Sequence, residues 1–227
     1  MRSEVPRDFN EAQHPWFYSL VYGGVRSAIA IFRDIHVVGL ENLPTEGKCV
    51  IAPNHRSFWD PLYMGVTAPR PVRSMAKKEL WSKPYFFRVG YLAGLVGGFP
   101  VDRNNPGSIP IRIGIKALAE DDHALMVFPE STSKIKGRAI GKLHDGAAHM
   151  AIHASSEEKP CPLVPVGIAS EDLAKSETVQ IVIDPPIYPE AYTATKANRN
   201  NLTDQLADAL QKTYNRALDA RESAASQ

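Results

Sequence analysis

The run Asn54-His55-Arg56-Ser57-Phe58-Trp59-Asp60-Pro61 sets an imidazole and a carboxylate five positions apart, directly after an apolar stretch. A carboxylate so placed can accept a hydrogen bond from one imidazole nitrogen, which fixes the tautomer and leaves the other nitrogen basic and aimed outward. The run reads as a strand end entering a helix, the place where α/β folds put their sites. Asp60 before Pro61 reads as a helix N-cap with proline at the first helical position, and His55 falls on the loop curling into that helix. The pair is thus a candidate general base with its orienting partner. Ser57 has no elbow motif around it, so the hydroxyl to be activated belongs to a substrate. A plainer reading makes Asp60 only a cap and His55 only a polar loop residue, because Asp-Pro helix starts are common. The pair alone leaves both readings open.

Three further segments bear on the choice. Gly98-Phe99-Pro100-Val101-Asp102-Arg103 ends an apolar stretch with a single arginine, and Leu125-Met126-Val127-Phe128-Pro129-Glu130-Ser131-Thr132 ends a strand in a Pro-Glu turn. Val164-Pro165-Val166-Gly167-Ile168 is a strand with an internal proline, which suits a sheet edge or a strand end beside a site. In this order the blocks resemble those of the glycerolipid acyltransferase family, typified by 1-acyl-sn-glycerol-3-phosphate acyltransferase. That family shows Asn-His with Asp five after the histidine, a Val-Asp-Arg-type block, Phe-Pro-Glu-Gly-Thr-Arg-Ser, and a strand containing Pro-Val. The resemblance covers residues 35–190, and four ordered blocks are far more specific than any one of them.

The resemblance implies an O-acyltransferase that moves a fatty acyl group from acyl-CoA or acyl carrier protein to the free hydroxyl of a lysophosphatidate-type lysolipid. His55 is then the general base and Asp60 its partner. Arg103 binds the acceptor phosphate, its guanidinium fork matching phosphate oxygens. Glu130, with Ser131 and Thr132, shapes the acceptor site, and Glu130 holds either a glycerol hydroxyl or a basic residue. Pro165 helps build the acyl-donor face. Lys77 meets phosphate or carrier, or else starts an exposed helix. No metal or tightly held cofactor is implied. The third block departs from the family, reading Ser131-Thr132-Ser133-Lys134 in place of Gly-Thr-Arg-Ser. Lys134, Lys136 or Arg138 could supply the missing charge, or form a solvated basic loop near anionic lipid. A larger lysophospholipid acceptor is therefore an alternative. A thioesterase or lipase lacks its Gly-x-Ser-x-Gly motif here. A catalytically silent lipid-binding protein would not require His55 and Asp60.

The elements that must position these residues follow from patterning. Apolar runs at 35–38, 49–52, 72–75, 125–128, 163–168 and 179–183 read as strands. Helical patterns at 61–66, 84–95, 109–120, 146–153 and 202–218 alternate with them. The expected fold is a single α/β domain, a mostly parallel or mixed sheet flanked by helices, spanning residues 34–222 with a flexible tail from 223 to 227. Residues 1–33 form a preceding region whose run from Trp16 to Phe32 is apolar apart from Arg26. As a helix that run would be about 25 Å long, short of the ~30 Å hydrocarbon core. Arg26 and the cluster Trp16, Phe17, Tyr18 and Tyr22 fit a helix dipping into one leaflet better than a span, and a core helix is the alternative.

The totals exclude other classes. With 227 residues, 44% hydrophobic and 22% charged, the chain suits one domain with an ordinary core. A net charge of +1 argues against a broad nucleic-acid-binding face. Cys49 and Cys161 stand apart in strand-like runs without metal spacing and read as buried apolar residues in a reducing compartment. His123, His144, His149 and His153 read as packed or surface residues; His149 and His153 share a helix face but lack a third clustered ligand. No secretory signal pattern is visible at the start, so the expected location is the cytoplasmic face of the cell membrane, monotopic or peripheral.

Overall fold

A computed structural model describes residues 33–79, 98–101, 108–121, 123–133, 135–170 and 178–225, together with Leu20, Val21, Gly23, Gly24, Ser27 and Ile29. Its strands are β1 Asp34–Val38, β2 Cys49–Pro53, β3 Val72–Lys77, β4 Gly98–Val101, β5 Ala124–Met126, β6 Leu163–Ala169 and β7 Thr178–Ile183. Its helices are α1 Asp60–Thr67, α2 Ile109–Asp121, α3 Gly146–Ala154 and α4 Lys196–Ala225. The seven strands form one sheet in the order β1-β7-β6-β2-β5-β3-β4. β6, β2, β5, β3 and β4 run parallel, and the antiparallel β6–β7 seam turns β7 and β1 the other way. The domain is therefore α/β with a mixed sheet.

Every residue of β2 is buried, and the two-residue period of a strand sends alternate side chains to opposite layers. Val50 and Ala52 join Leu125, Met150, Leu163 and Leu206 under α2, α3 and α4. Cys49 and Ile51 join Tyr63, Met64, Val164 and Val166 on the α1 side. An apolar run without alternation is what a strand covered on both faces requires.

α4 buries Leu202, Leu206, Leu210, Tyr214, Ala217 and Leu218, a stripe at three- and four-residue spacing. It begins beside Thr195, whose Oγ1 accepts from the Asn198 N–H at 3.2 Å. Its backbone lies directly on β6 at Gly167, where an added Cβ would stand 2.5 Å from the Thr213 carbonyl oxygen. The tail expected from residue 223 is helical through Ala225. Ser223 Oγ donates to the Asp219 carbonyl at 2.9 Å and Arg138 donates to Glu222 at 2.8 Å, which carries the last turns past Leu218, the last buried residue.

The two strand prolines differ in placement. Pro100 lies in β4, the sheet edge, where a missing N–H is tolerated. Pro165 was expected at an edge or strand end, yet β6 is central, paired with β2 and β7. It fits because the register slips by one residue between the Val166↔Ile183 and Leu163↔Ile187 pairings. The Pro165 carbonyl accepts from Asp184 N–H at 3.0 Å, and its missing donor falls at that bulge. The expected helix at 84–95 and most of the run from 16 to 32 lie outside the described residues, although Leu20, Val21, Gly23, Gly24, Ser27 and Ile29 are helical. Among the described residues no helix is long and apolar enough to cross a membrane.

Candidate active site

Parallel strands bring their C-terminal ends to one side of the sheet, so β2 delivers Asn54 and His55 beside the Phe128–Glu130 turn after β5 and beside Ser170 after β6. Asn54 is fully buried. Its Nδ2 donates to the Ile168 carbonyl at 3.1 Å and its Oδ1 accepts from the Ile168 N–H at 2.6 Å. A carboxamide carries one acceptor and a donor group at the right separation to imitate a peptide unit. Asn54 thereby continues the β2–β6 ladder one step past Pro53 and fixes where the next residue, His55, leaves the sheet.

The structure brings His55 and Asp60 together. His55 Nδ1 lies 3.0 Å from Asp60 Oδ2, and the same oxygen accepts from the N–H groups of Arg56 and Ser57, each at 2.7 Å. An oxygen already accepting from two amides leaves Nδ1–H as the donor and Nε2 as the basic nitrogen. Asp60 is therefore not the N-cap expected from its proline neighbour. It is the first residue of α1, the cap position is Trp59 without a side-chain cap bond, and the carboxylate turns back onto its own loop. Trp59 N–H donates instead to Ser57 Oγ at 3.2 Å, so Ser57 serves the turn. His55 is 7% exposed, and its ring lies 4.2 Å from that of Phe128.

Glu130 holds a basic residue, Arg56. Arg56 Nη1 donates to both Glu130 oxygens, at 2.8 and 3.0 Å. Glu130 also accepts from the His55 N–H at 3.0 Å and from the Gly141 N–H at 2.6 Å. Arg56 Nη1 donates to the His55 carbonyl at 3.0 Å. The ion pair thus grips the His55 main chain from both sides. Arg56 in turn stands 4.7 Å from the centre of the Tyr214 ring on α4, a cation–π contact. The sequence reading gave Arg56 and Asn54 no roles. For Arg56 a signal was present, since an arginine beside the histidine and a glutamate in a later block form a charge-matched pair.

Phe128 also lines an apolar cavity of about 360 Å³ bordered by Met75, Val101, Ile111, Met150 and Ser131. Ser131 is exposed and has φ 54, the left-handed region in which glycine is at ease. Thr132 is half-buried beside it. Pro165 is buried at mid-strand opposite Ala52. Lys77 ends β3 opposite Val101; its side chain, Arg103 and Lys134 lie outside the described residues. Arg138 is tied to Asp219 and Glu222 on α4, and Lys136 is exposed. Both cysteines are buried, and burial pushes the Cys49 thiol up to about 11, which Arg70 only partly opposes. His149 and His153 have ring centres 4.9 Å apart. Burial holds His149 below its ordinary value, with Arg199 and His153 adding to the effect. Among the described residues no group of three or more His, Cys, Asp or Glu side chains could hold a metal ion.

Fold and site together define a class: a mixed α/β domain with a buried imidazole–carboxylate pair at its strand ends, suited to activating a hydroxyl. The family model described as Acyltransferase matches residues 34–169, and the chain belongs to that family of acyltransferases. A Streptococcus pneumoniae 1-acyl-sn-glycerol-3-phosphate acyltransferase is 34% identical over 130 residues, 54% of this chain and 48% of that protein, so the match spans about half of the relative's length. A Bacillus subtilis protein of the same name is 26% identical over 206 residues, 88% of this chain and 98% of that protein. The crystal structure of the Thermotoga maritima 1-acyl-sn-glycerophosphate (LPA) acyltransferase, PlsC, superposes with a TM-score of 0.65 at 18% identity, covering 86% of this chain and 78% of that one, and shares its fold.

Proposed function

We propose that this acyltransferase moves a fatty acyl group from an acyl thioester, acyl-CoA or acyl carrier protein, to the free hydroxyl of a lysophosphatidate-type lipid. The observation that carries the reading is the 3.0 Å His55–Asp60 contact, set against Phe128 at the border of the apolar cavity. The names of the pneumococcal and Bacillus relatives support the acceptor.

In this mechanism Nε2 of His55 takes the proton of the acceptor hydroxyl as its oxygen attacks the thioester carbonyl carbon. A C–O bond forms, the C–S bond breaks, and the proton passes from His55 to the departing thiolate. Asp60 holds the imidazole in the required tautomer and faces the positive charge that develops on it. Arg103 is assigned to the acceptor phosphate on the family resemblance, Lys77 to phosphate or carrier, and the cavity to an acyl chain on its apolar lining. The reaction is assigned to the cytoplasmic face of the membrane. The aromatic-rich run from 16 to 32 and Phe58, which is 67% exposed on the loop between His55 and Asp60, support a lipid-facing mouth.

The test is an assay of the purified full chain with acyl-CoA and acyl carrier protein donors against a panel of lysolipids, beside His55→Ala. Transfer to lysophosphatidate is expected, falling by about 10³-fold or more in the variant. Undiminished transfer by His55→Ala sinks the mechanism, and full thiol release without any acceptor replaces it with a thioesterase.

A further inference from the structure

We propose that Ser170 is a positioning residue for the His55–Asp60 pair, acting through the Asp60 carboxylate. The inference rests on the reading of His55 as the base. It starts from the distribution of donors on a fully buried carboxylate. Asp60 Oδ2 accepts from His55 Nδ1, Arg56 N–H and Ser57 N–H. All three belong to the loop that Asp60 itself closes, and they move with it. The other oxygen, Oδ1, accepts from Ser170 Oγ at 2.9 Å, across 110 positions of sequence. Among the described residues this is the hydrogen bond that ties the carboxylate to the rest of the domain.

Ser170 follows β6 directly and stands two residues past Ile168, whose peptide grips Asn54. The end of β6 therefore holds the loop twice, at Asn54 before the histidine and at Asp60 after it. A hydroxyl donating to a carboxylate is stronger than a neutral pair. Without Ser170 Oγ a buried oxygen loses its donor, and the carboxylate can turn about its Cβ–Cγ bond, spoiling the aim of Nδ1 and with it that of Nε2. Ser170 lies immediately beyond residues 34–169, so the family match does not reach it.

The test compares Ser170→Ala, the isosteric pair Ser170→Thr and Ser170→Val, and Asp60→Asn, all in the full chain with lysophosphatidate and acyl-CoA. Ser170→Ala is expected to lower kcat about tenfold while KM for both substrates stays within ~2-fold. Ser170→Thr, which keeps a γ-hydroxyl, returns kcat to within ~3-fold of the parent, and Ser170→Val does not. Parent-like kcat in Ser170→Ala, or equal losses in the threonine and valine variants, overturns the inference. If Asp60→Asn is inactive while Ser170→Ala and Ser170→Val are parent-like, the inference alone fails. If Asp60→Asn keeps the parent rate, the mechanism beneath it fails.

Discussion

β2 starts at Cys49 and delivers His55 just beyond its other end, so one strand carries two reactive side-chain types about 20 Å apart. Both are shielded from solvent, at 0% and 7% exposure. Their surroundings differ. Around Cys49 it raises the thiol to about 11 and keeps it neutral, an inert part of the core. Around His55 the shielding comes with a carboxylate at 3.0 Å, an aromatic ring and main-chain bonds to an ion pair on both sides. Burial alone keeps a thiol neutral; burial with a fixed partner orients an imidazole.

The contrast can be broken first at the mouth. Glu130→Gln leaves the Arg56 guanidinium buried without its counter-charge and is expected to destabilise the fold by about 4 kcal/mol. Arg56→Met combined with Glu130→Gln should cost less than the sum of the single changes, since the two residues share one network. Denaturant unfolding of the two single variants and the double variant measures the coupling; additive costs would mean that the clamp contributes no specific interaction.

At the sealed end the expected effect is pH-dependent. The Cys49 thiol is raised from 9.0 to about 11 in the folded chain, so the unfolded chain loses this proton first. The stability from keeping Cys49 neutral is intact below pH 9 and disappears as pH rises to about 11, amounting to about 3 kcal/mol. Unfolding curves across that window, for the parent and Cys49→Ala, isolate this part of the slope. An unchanged slope in the variant would mean that burial does not hold the Cys49 thiol up. The smallest effect belongs to Ser131. Relief of a left-handed backbone outweighs glycine's extra unfolded-state freedom, so Ser131→Gly is expected to stabilise by about 1 kcal/mol, read as a raised Tm. A lowered Tm would place the strain of the mouth elsewhere.

Much of this was legible in the sequence because it is local. A strand apolar at every position declares burial on both faces, as β2 does, and alternation of such runs with helical stripes declares layers. His55 and Asp60 are close in the chain, and one turn of loop is enough to close their contact. The resemblance of four ordered blocks supplied the family. Local signals also misled where a neighbour competes for the same group. Asp-Pro predicted a cap at Asp60, but its carboxylate is claimed by His55 and two loop amides. The proline in β6 predicted an edge, but a register slip against β7 lets it sit in the centre of the sheet. The short edge strand β4, with its glycine and proline, carried no clear strand pattern at all.

What spacing could not reveal are contacts between distant segments: Asn54 with Ile168, Arg56 with Glu130 and Tyr214, Asp60 with Ser170. Each depends on which strands lie side by side, and strand order is decided by the packing of the whole sheet and its helices. The amino-acid sequence by itself determined the kinds of groups available, the layers and the His–Asp spacing. Only the tertiary structure decided which distant donors hold that pair still, because a hydrogen bond forms only at a distance that folding sets.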